Sequence, residues 1–196
     1  MEYKILNFEN LLGTEGFSDK LLKDHFTLYQ GYVKNTNTLI QTFEELAKDG
    51  KAGTPAHAEL KRRFGWEFNG MRLHELYFGN MKKGGIKPDA ASPLGKLIAA
   101  NFGSYENWEK SFKACATARG IGWTALYFDQ SANSLFNTWI NEHDGGHLAG
   151  CVPMLILDVF EHAFLTDYGL KRADYIESFF KAIDWNTASE RLKKAK

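Results

Sequence analysis

Apolar positions fall mostly three and four residues apart early in the chain, at Leu21, His25, Leu28, Tyr32, Leu39, Phe43 and Leu46. Lys34, Asn35 and Lys48 lie off that stripe. A repeat near 3.6 residues puts such positions on one face of a helix. Ser18 can cap its start, Phe17 and Leu22 can form the flanking hydrophobic staple, and Asp49-Gly50 ends it. Thr54-Pro55 opens a second helix whose apolar positions include Leu60, Phe64, Phe68, Met71, His74 and Phe78. Two such helices joined by a short glycine-containing loop predict an antiparallel hairpin.

Residues 82–91 are polar, contain Gly84-Gly85 and Pro88, and mark the boundary to a different pattern. Ser92-Pro93 starts a short helix, and Ser104 caps another that carries Trp108, Phe112 and Cys115. Residues 123–128 and 135–140 are β-rich and separated by a polar turn, which reads as a β-hairpin; residues 152–157 supply a third strand. Helices around 160–168 and 175–183 follow, then a basic tail with Lys193, Lys194 and Lys196. The expected fold class is α+β: a helical-hairpin domain in residues 1–85, then an α/β domain in residues 86–196 with a three-stranded antiparallel sheet.

The 196 residues suffice for one compact domain or two small ones, and with 44% hydrophobic residues a sizeable core is available. Twenty-four basic residues balance 24 acidic ones, which argues against a nucleic-acid partner held by phosphate contacts. Cys115 and Cys151 are too few for a disulfide framework and indicate a reducing compartment. Residues 1–10 lack the basic and apolar regions of a secretory signal, and no apolar run approaches the roughly 20 residues of a membrane span. The expectation is a soluble, cytoplasmic protein with no membrane partner.

The candidate chemistry centres on Asp158 and His162. Four apart on a helix, they would share a face and could grip one metal ion; the apolar run before them would place both in the interior. The alternative without metal is a helix-capping Asp with a His one turn on. His25 near the start of the first helix and His74 near the end of the second come to the same end of an antiparallel pair. Either alone could be a satisfied core histidine. Together with Asp158 and His162 they form a three-imidazole, one-carboxylate set that suits iron, manganese or zinc better than magnesium or calcium. Iron or manganese would permit one-electron chemistry, whereas zinc would point to hydrolysis.

Several boxes, in order, resemble the iron/manganese superoxide dismutase family. Residues 158–164, D-V-F-E-H-A-F, are similar to its D-V-W-E-H-A-Y box; residues 73–78 resemble its N-H-x-x-F/Y-W segment; Gly120-Ile121-Gly122-Trp123 resembles its G-S-G-W turn. Asp174-Tyr175-Ile176, Asp184-Trp185 and Tyr32-Val33 match further landmarks. The resemblance implies one iron or manganese ion per subunit, held by His25, His74, Asp158 and His162, and dismutation of superoxide to dioxygen and hydrogen peroxide. It also implies Tyr32 as the gate and a homodimer, or a tetramer, in which Glu161 pairs with His162 of the partner subunit.

There are departures. His25 precedes Tyr32 by seven residues where the family usually has eight, and Gly70 stands at a helical site that many iron enzymes fill with glutamine. His143 falls where many manganese enzymes have glutamine, so the solvent-bonding role is assigned to it; a plain turn histidine is the alternative. Leu28 and Leu165 occupy the places of a histidine and a tyrosine that meet across the family's subunit contact, and Phe160 and Ala125 replace tryptophans. His57 and His147 read as surface residues, and Arg172 as an anion-steering or simply solvated cation. Two other functions stay open: a non-enzymatic relative that keeps the fold, and a metal-dependent hydrolase.

Overall fold

Ser18 accepts the Leu21 amide on its hydroxyl at 3.0 Å and starts α1 (Asp19–Lys48); Thr54 does the same for the His57 amide at the head of α2 (Pro55–Gly79). The computed structural model describes residues 2–196. Tyr29 of α1 meets Glu75 of α2, Asn35 meets Glu67, and Phe43 meets Phe64, so the helices run antiparallel as expected. The buried face of α1 passes through Leu22, His25, Phe26, Tyr29, Val33 and Thr36. Leu28, expected on that face, is 37% exposed. Each residue turns the helix by about 100°, so the stripe through His25 continues through Tyr29 and leaves Leu28 at its edge.

Helices α3 (Pro93–Phe102) and α4 (Tyr105–Ala116) begin at the expected caps, Ser92 and Ser104, and pack on a sheet of β1 (Gly122–Asp129), β2 (Ser134–Asn141) and β3 (Cys151–Asp158). The sheet is antiparallel with order β2-β1-β3, and the central strand is buried from Gly122 to Phe128. Opposite Leu126 and Tyr127 the ladder skips Met154, next to Pro153, which has no amide to give.

The segment after β3 differs from expectation. Asp158 is the last residue of a strand, not a helical residue, and His162 sits in a 3-10 turn, Glu161–Ala163. The Asp158 Oδ1 accepts the Phe160 amide at 2.8 Å, and the Val159 amide donates to the Gly122 carbonyl at 2.9 Å, which holds the chain extended where a helix would begin. The helix expected over 160–168 shrinks to α5 (Leu165–Tyr168) and stops at Gly169. After α6 (Arg172–Ala182), the expected basic tail is instead an amphipathic helix, α7 (Trp185–Ala195), burying Trp185, Ala188, Leu192 and Ala195.

Two polar side chains join these parts. Buried Asn80, at the end of α2, donates to the Tyr77 and Ile156 carbonyls and accepts the Ile156 amide, imitating a strand neighbour for β3. Arg191 of α7 donates to Asn80 Oδ1 and to the Leu76 and Met154 carbonyls, so a cation caps the negative end of α2. Burial lowers its guanidinium to about 10, which leaves it charged at neutral pH. The polar stretch after α2 is pinned as well: the Lys82 and Gly85 amides donate to the Ala182 and Lys181 carbonyls.

Candidate metal centre

Helices α1 and α2 bring His25 and His74 against the end of β3, where the turn after the strand adds His162. One ligand atom from each of His25, His74, Asp158 and His162 lies within 4.8 Å of the others, an arrangement that could hold one metal ion. The Nε2 atoms of His25, His74 and His162 stand 3.2, 3.7 and 3.2 Å from Asp158 Oδ2. The His25 and His74 Nε2 atoms are buried and make no hydrogen bond. A buried, unpartnered imidazole nitrogen is costly unless something else occupies its lone pair. The ring of His74 is set for this: its Nδ1, 2.6 Å from the Gly70 carbonyl, must be the protonated nitrogen because a carbonyl only accepts, so Nε2 carries the free lone pair.

Burial pushes His25 down from its ordinary value of 6.5 and His74 well below it, which keeps both rings in the neutral form a metal needs. Burial alone would raise the Asp158 carboxyl, but His162 and His25 beside it outweigh that and hold it below the usual carboxylate range. Asp158 is also fixed through its backbone. The Tyr175 hydroxyl donates to its carbonyl at 2.7 Å, and the Tyr77 hydroxyl, 3.0 Å away, donates in turn to Tyr175. Both phenols are buried and pushed upward by that burial. Only a tyrosine-bearing motif, with no hint of this contact, marked Tyr175 in the sequence.

Around the four lies an aromatic wall. Tyr32 stacks on His74 at 5.2 Å between ring centres, and Trp123 meets His74 edge-on at 4.9 Å. Phe160 lies flat between His143 (4.7 Å) and His162 (5.1 Å). His143 is fully buried. The Trp123 indole N–H donates to its Nδ1 at 3.1 Å, and its Nε2 is 2.7 Å from the Tyr32 hydroxyl. An indole nitrogen only donates, and burial lowers His143 to about 4, so the ring is neutral with its hydrogen on Nε2, donating to Tyr32. Tyr32, pushed up to about 12 by burial, stays a phenol.

Gly70 explains why no side chain from α2 takes the place of His143. A Cβ there would stand 2.5 Å from the Tyr32 ring. Gly70→Ala in a helix would ordinarily gain about 1 kcal/mol; here it should cost about 1–3 kcal/mol by displacing Tyr32. Denaturant unfolding checks the sign, and a stabilised variant would mean that the Tyr32 ring gives way freely. Arg172 does not face the site as a free cation: its guanidinium donates to the Ala118 and Gly120 carbonyls.

Acid should destabilise the metal-free protein in a defined window. His25, His74 and His143 are held neutral when folded but protonate near 6.5 when unfolded. The unfolded chain therefore binds more protons below 6.5, and stability falls as pH drops from there, the His143 share being complete near 4. The Asp158 share is lost only below its ordinary value of 3.8. Urea unfolding at a series of pH values should show a slope of up to about 1.4 kcal/mol per pH unit for each histidine. A flat profile between 6.5 and 4 would contradict this burial.

A helical hairpin closed over the end of a short antiparallel sheet, with three imidazoles and a carboxylate converging between them, defines a protein that can hold one metal ion in its interior. Residues 90–191 match the family described as iron/manganese superoxide dismutases, C-terminal domain. The chain is 40% identical over 172 residues to a manganese superoxide dismutase, number 2, of Haloferax volcanii, covering 87% of this chain and 84% of that protein. It is 34% identical over 171 residues to an iron superoxide dismutase of Sulfolobus acidocaldarius, covering 85% and 80%. With an iron superoxide dismutase of Aquifex aeolicus the identity is 34% over 186 residues, covering 92% and 86%. The chain belongs to the iron/manganese superoxide dismutase family.

Proposed function

We propose that the protein dismutates superoxide, two superoxide ions and two protons giving dioxygen and hydrogen peroxide, with one iron or manganese ion per subunit held by His25, His74, Asp158 and His162. The reading rests on two buried Nε2 atoms without hydrogen-bond partners converging on one carboxylate, an arrangement that a bound cation satisfies. The bound ion supplies a one-electron couple that accepts an electron from one superoxide and returns it to the next. The remaining work belongs to the chain. His143 Nε2–H fills an acceptor site on the Tyr32 oxygen, which leaves the phenol's own proton available to a reduced oxygen species in the site. Tyr32, Trp123 and Phe160 keep bulk water away, so these hydrogen bonds act in a low dielectric. Tyr32 is thus read as gate and proton donor; His143, expected to bond solvent directly, has both nitrogens taken by Trp123 and Tyr32 and is read instead as the residue that orients that phenol.

Access suits a very small substrate: the side chains of His25, His74 and Asp158 are at most 1% exposed, and that of His162 is 28% exposed. A hydrolase would need a free base, but Glu67 is held by Arg63 and Asn35, and Glu75 by Arg72 and Tyr29. A non-enzymatic relative has no use for orphaned buried imidazoles. Residues 1–85 and 86–196 are read as two domains sharing this site. Exposed Glu161 beside His162, with exposed Leu28 and Leu165, supports a homodimer in which Glu161 reaches His162 of the partner subunit; a tetramer is the alternative. Two free thiols, Cys115 and Cys151, support a cytoplasmic setting.

The test is to load the protein separately with iron and with manganese, count ions per subunit, and measure superoxide removal. One bound ion with turnover by at least one metal is expected. Stoichiometric binding of both metals with no turnover by either would sink the proposal.

A further inference from the structure

His147 lies on the loop from β2 to β3, four residues after His143, and is exposed. Its ring is nevertheless engaged at both nitrogens. Nε2 is 2.9 Å from the His143 carbonyl and Nδ1 is 3.0 Å from the Tyr127 hydroxyl. A carbonyl only accepts, so Nε2–H donates to it; in the neutral ring Nδ1 then accepts from the phenol. Tyr127 is a firm anchor, 3% exposed and on the central strand, with its hydroxyl pushed up to about 12 by burial. Elsewhere the loop is tied by Asn141 with Gly145 and by the Glu142 amide on the Ile121 carbonyl. Among the described residues, the hydrogen bond received by the His143 carbonyl itself comes from His147.

We propose that His147 is a positioning residue: by tying the His143 carbonyl to Tyr127 on β1, it fixes the depth at which the His143 ring enters the wall and meets the Tyr32 hydroxyl. The geometry gives this leverage. The contact between His143 and Tyr32 is 2.7 Å, and a displacement of about 1 Å takes it beyond hydrogen-bond range. The other hydrogen bonds of the loop, at Asn141, Glu142 and Gly145, hold its flanks, whereas the bond from His147 acts on the carbonyl of His143 itself. The inference rests on the reading of His143 given above.

Four variants of the metal-loaded enzyme test it: His147→Ala, His147→Gln, Tyr127→Phe and His143→Ala. Glutamine keeps an N–H for the carbonyl and an oxygen for the phenol. His147→Ala should lower kcat by about ten-fold, the lower end for outer partners of a metal site. It should also shift the reduction potential of the bound ion and lengthen the contact between Tyr32 and His143 in a crystal structure, with little change in Tm. His147→Gln should recover most of the kcat and the potential, and Tyr127→Phe should fall between. Unchanged kcat, potential and contact in His147→Ala, while His143→Ala is impaired, would overturn the positioning role and leave the reading of His143 standing. Equal losses in the alanine and glutamine variants would overturn it too, because the bond would not be the cause. Wild-type turnover in His143→Ala would remove the reading of His143 and this inference with it.

Discussion

Asp158→Asn is expected to fold and to lose its metal. The asparagine keeps the oxygen that accepts the Phe160 amide at 2.8 Å, and the backbone carbonyl still receives the Tyr175 hydroxyl, so the strand end and the turn carrying His162 stay in place. What changes is the atom at Oδ2, which stands 3.2, 3.7 and 3.2 Å from three imidazole nitrogens. An anionic oxygen becomes an N–H donor, and the His25 or His74 lone pair that lacked a partner can accept from it. That bond offsets only part of what is lost, so the metal-free variant should be less stable at neutral pH than the metal-free parent, whose carboxylate is stabilised by His162 and His25. For the ion, the substitution removes the one carboxylate among the four and points a hydrogen at it. Outer partners of a metal site contribute about 10–100-fold in affinity, so loss of a direct ligand should exceed about 100-fold. Metal content after dialysis, the metal-free unfolding midpoint and superoxide removal together check this. An Asp158→Asn protein that retained a full ion and normal turnover would place the metal elsewhere.

The hairpin was legible because its information is local: Ser18 and Thr54 as caps, Pro55 just after the second, and a helical repeat between them. His25 and His74 followed from it, since antiparallel helices must bring one helix's start to the other's end. The turn after β3 was not legible. Asp158 and His162 are spaced as helical neighbours would be, yet they meet because a strand ends in an aspartate that caps its own turn, and the spacing alone fits both geometries. The basic tail hid a helix because two of its four buried residues, Ala188 and Ala195, are small and the stripe they form with Trp185 and Leu192 sits among charges. His147 was read as a surface residue, and it is exposed; exposure simply does not report hydrogen bonding. Asn80 and Arg191, far apart in the chain, carried no local signal at all, because they bond each other and backbone groups of β3 and α2 that only the tertiary fold brings to them.

His143→Ala should keep its metal and lose about two orders of magnitude in turnover, the lower range for a group that governs proton transfer. The ring is not among the four converging ligands; it lies 6.2 Å from His74 between ring centres, and both its nitrogens are engaged elsewhere. Removing it leaves the Tyr32 oxygen without a donor and the buried Trp123 N–H without an acceptor, and opens space beside Phe160. The stability cost should be about 1–3 kcal/mol for the stranded indole, plus a cavity term. His143→Gln is the informative partner. A carboxamide oxygen can accept from Trp123 while its N–H donates to Tyr32, so the hydrogen-bond sense is preserved without an imidazole. If the chemistry needs only that oriented donor, the glutamine variant should recover most of the turnover and the alanine variant should not. If both are equally impaired with full metal content, the imidazole itself takes part in moving the proton. Loss of metal together with turnover in both would instead make His143 part of the ion's own shell.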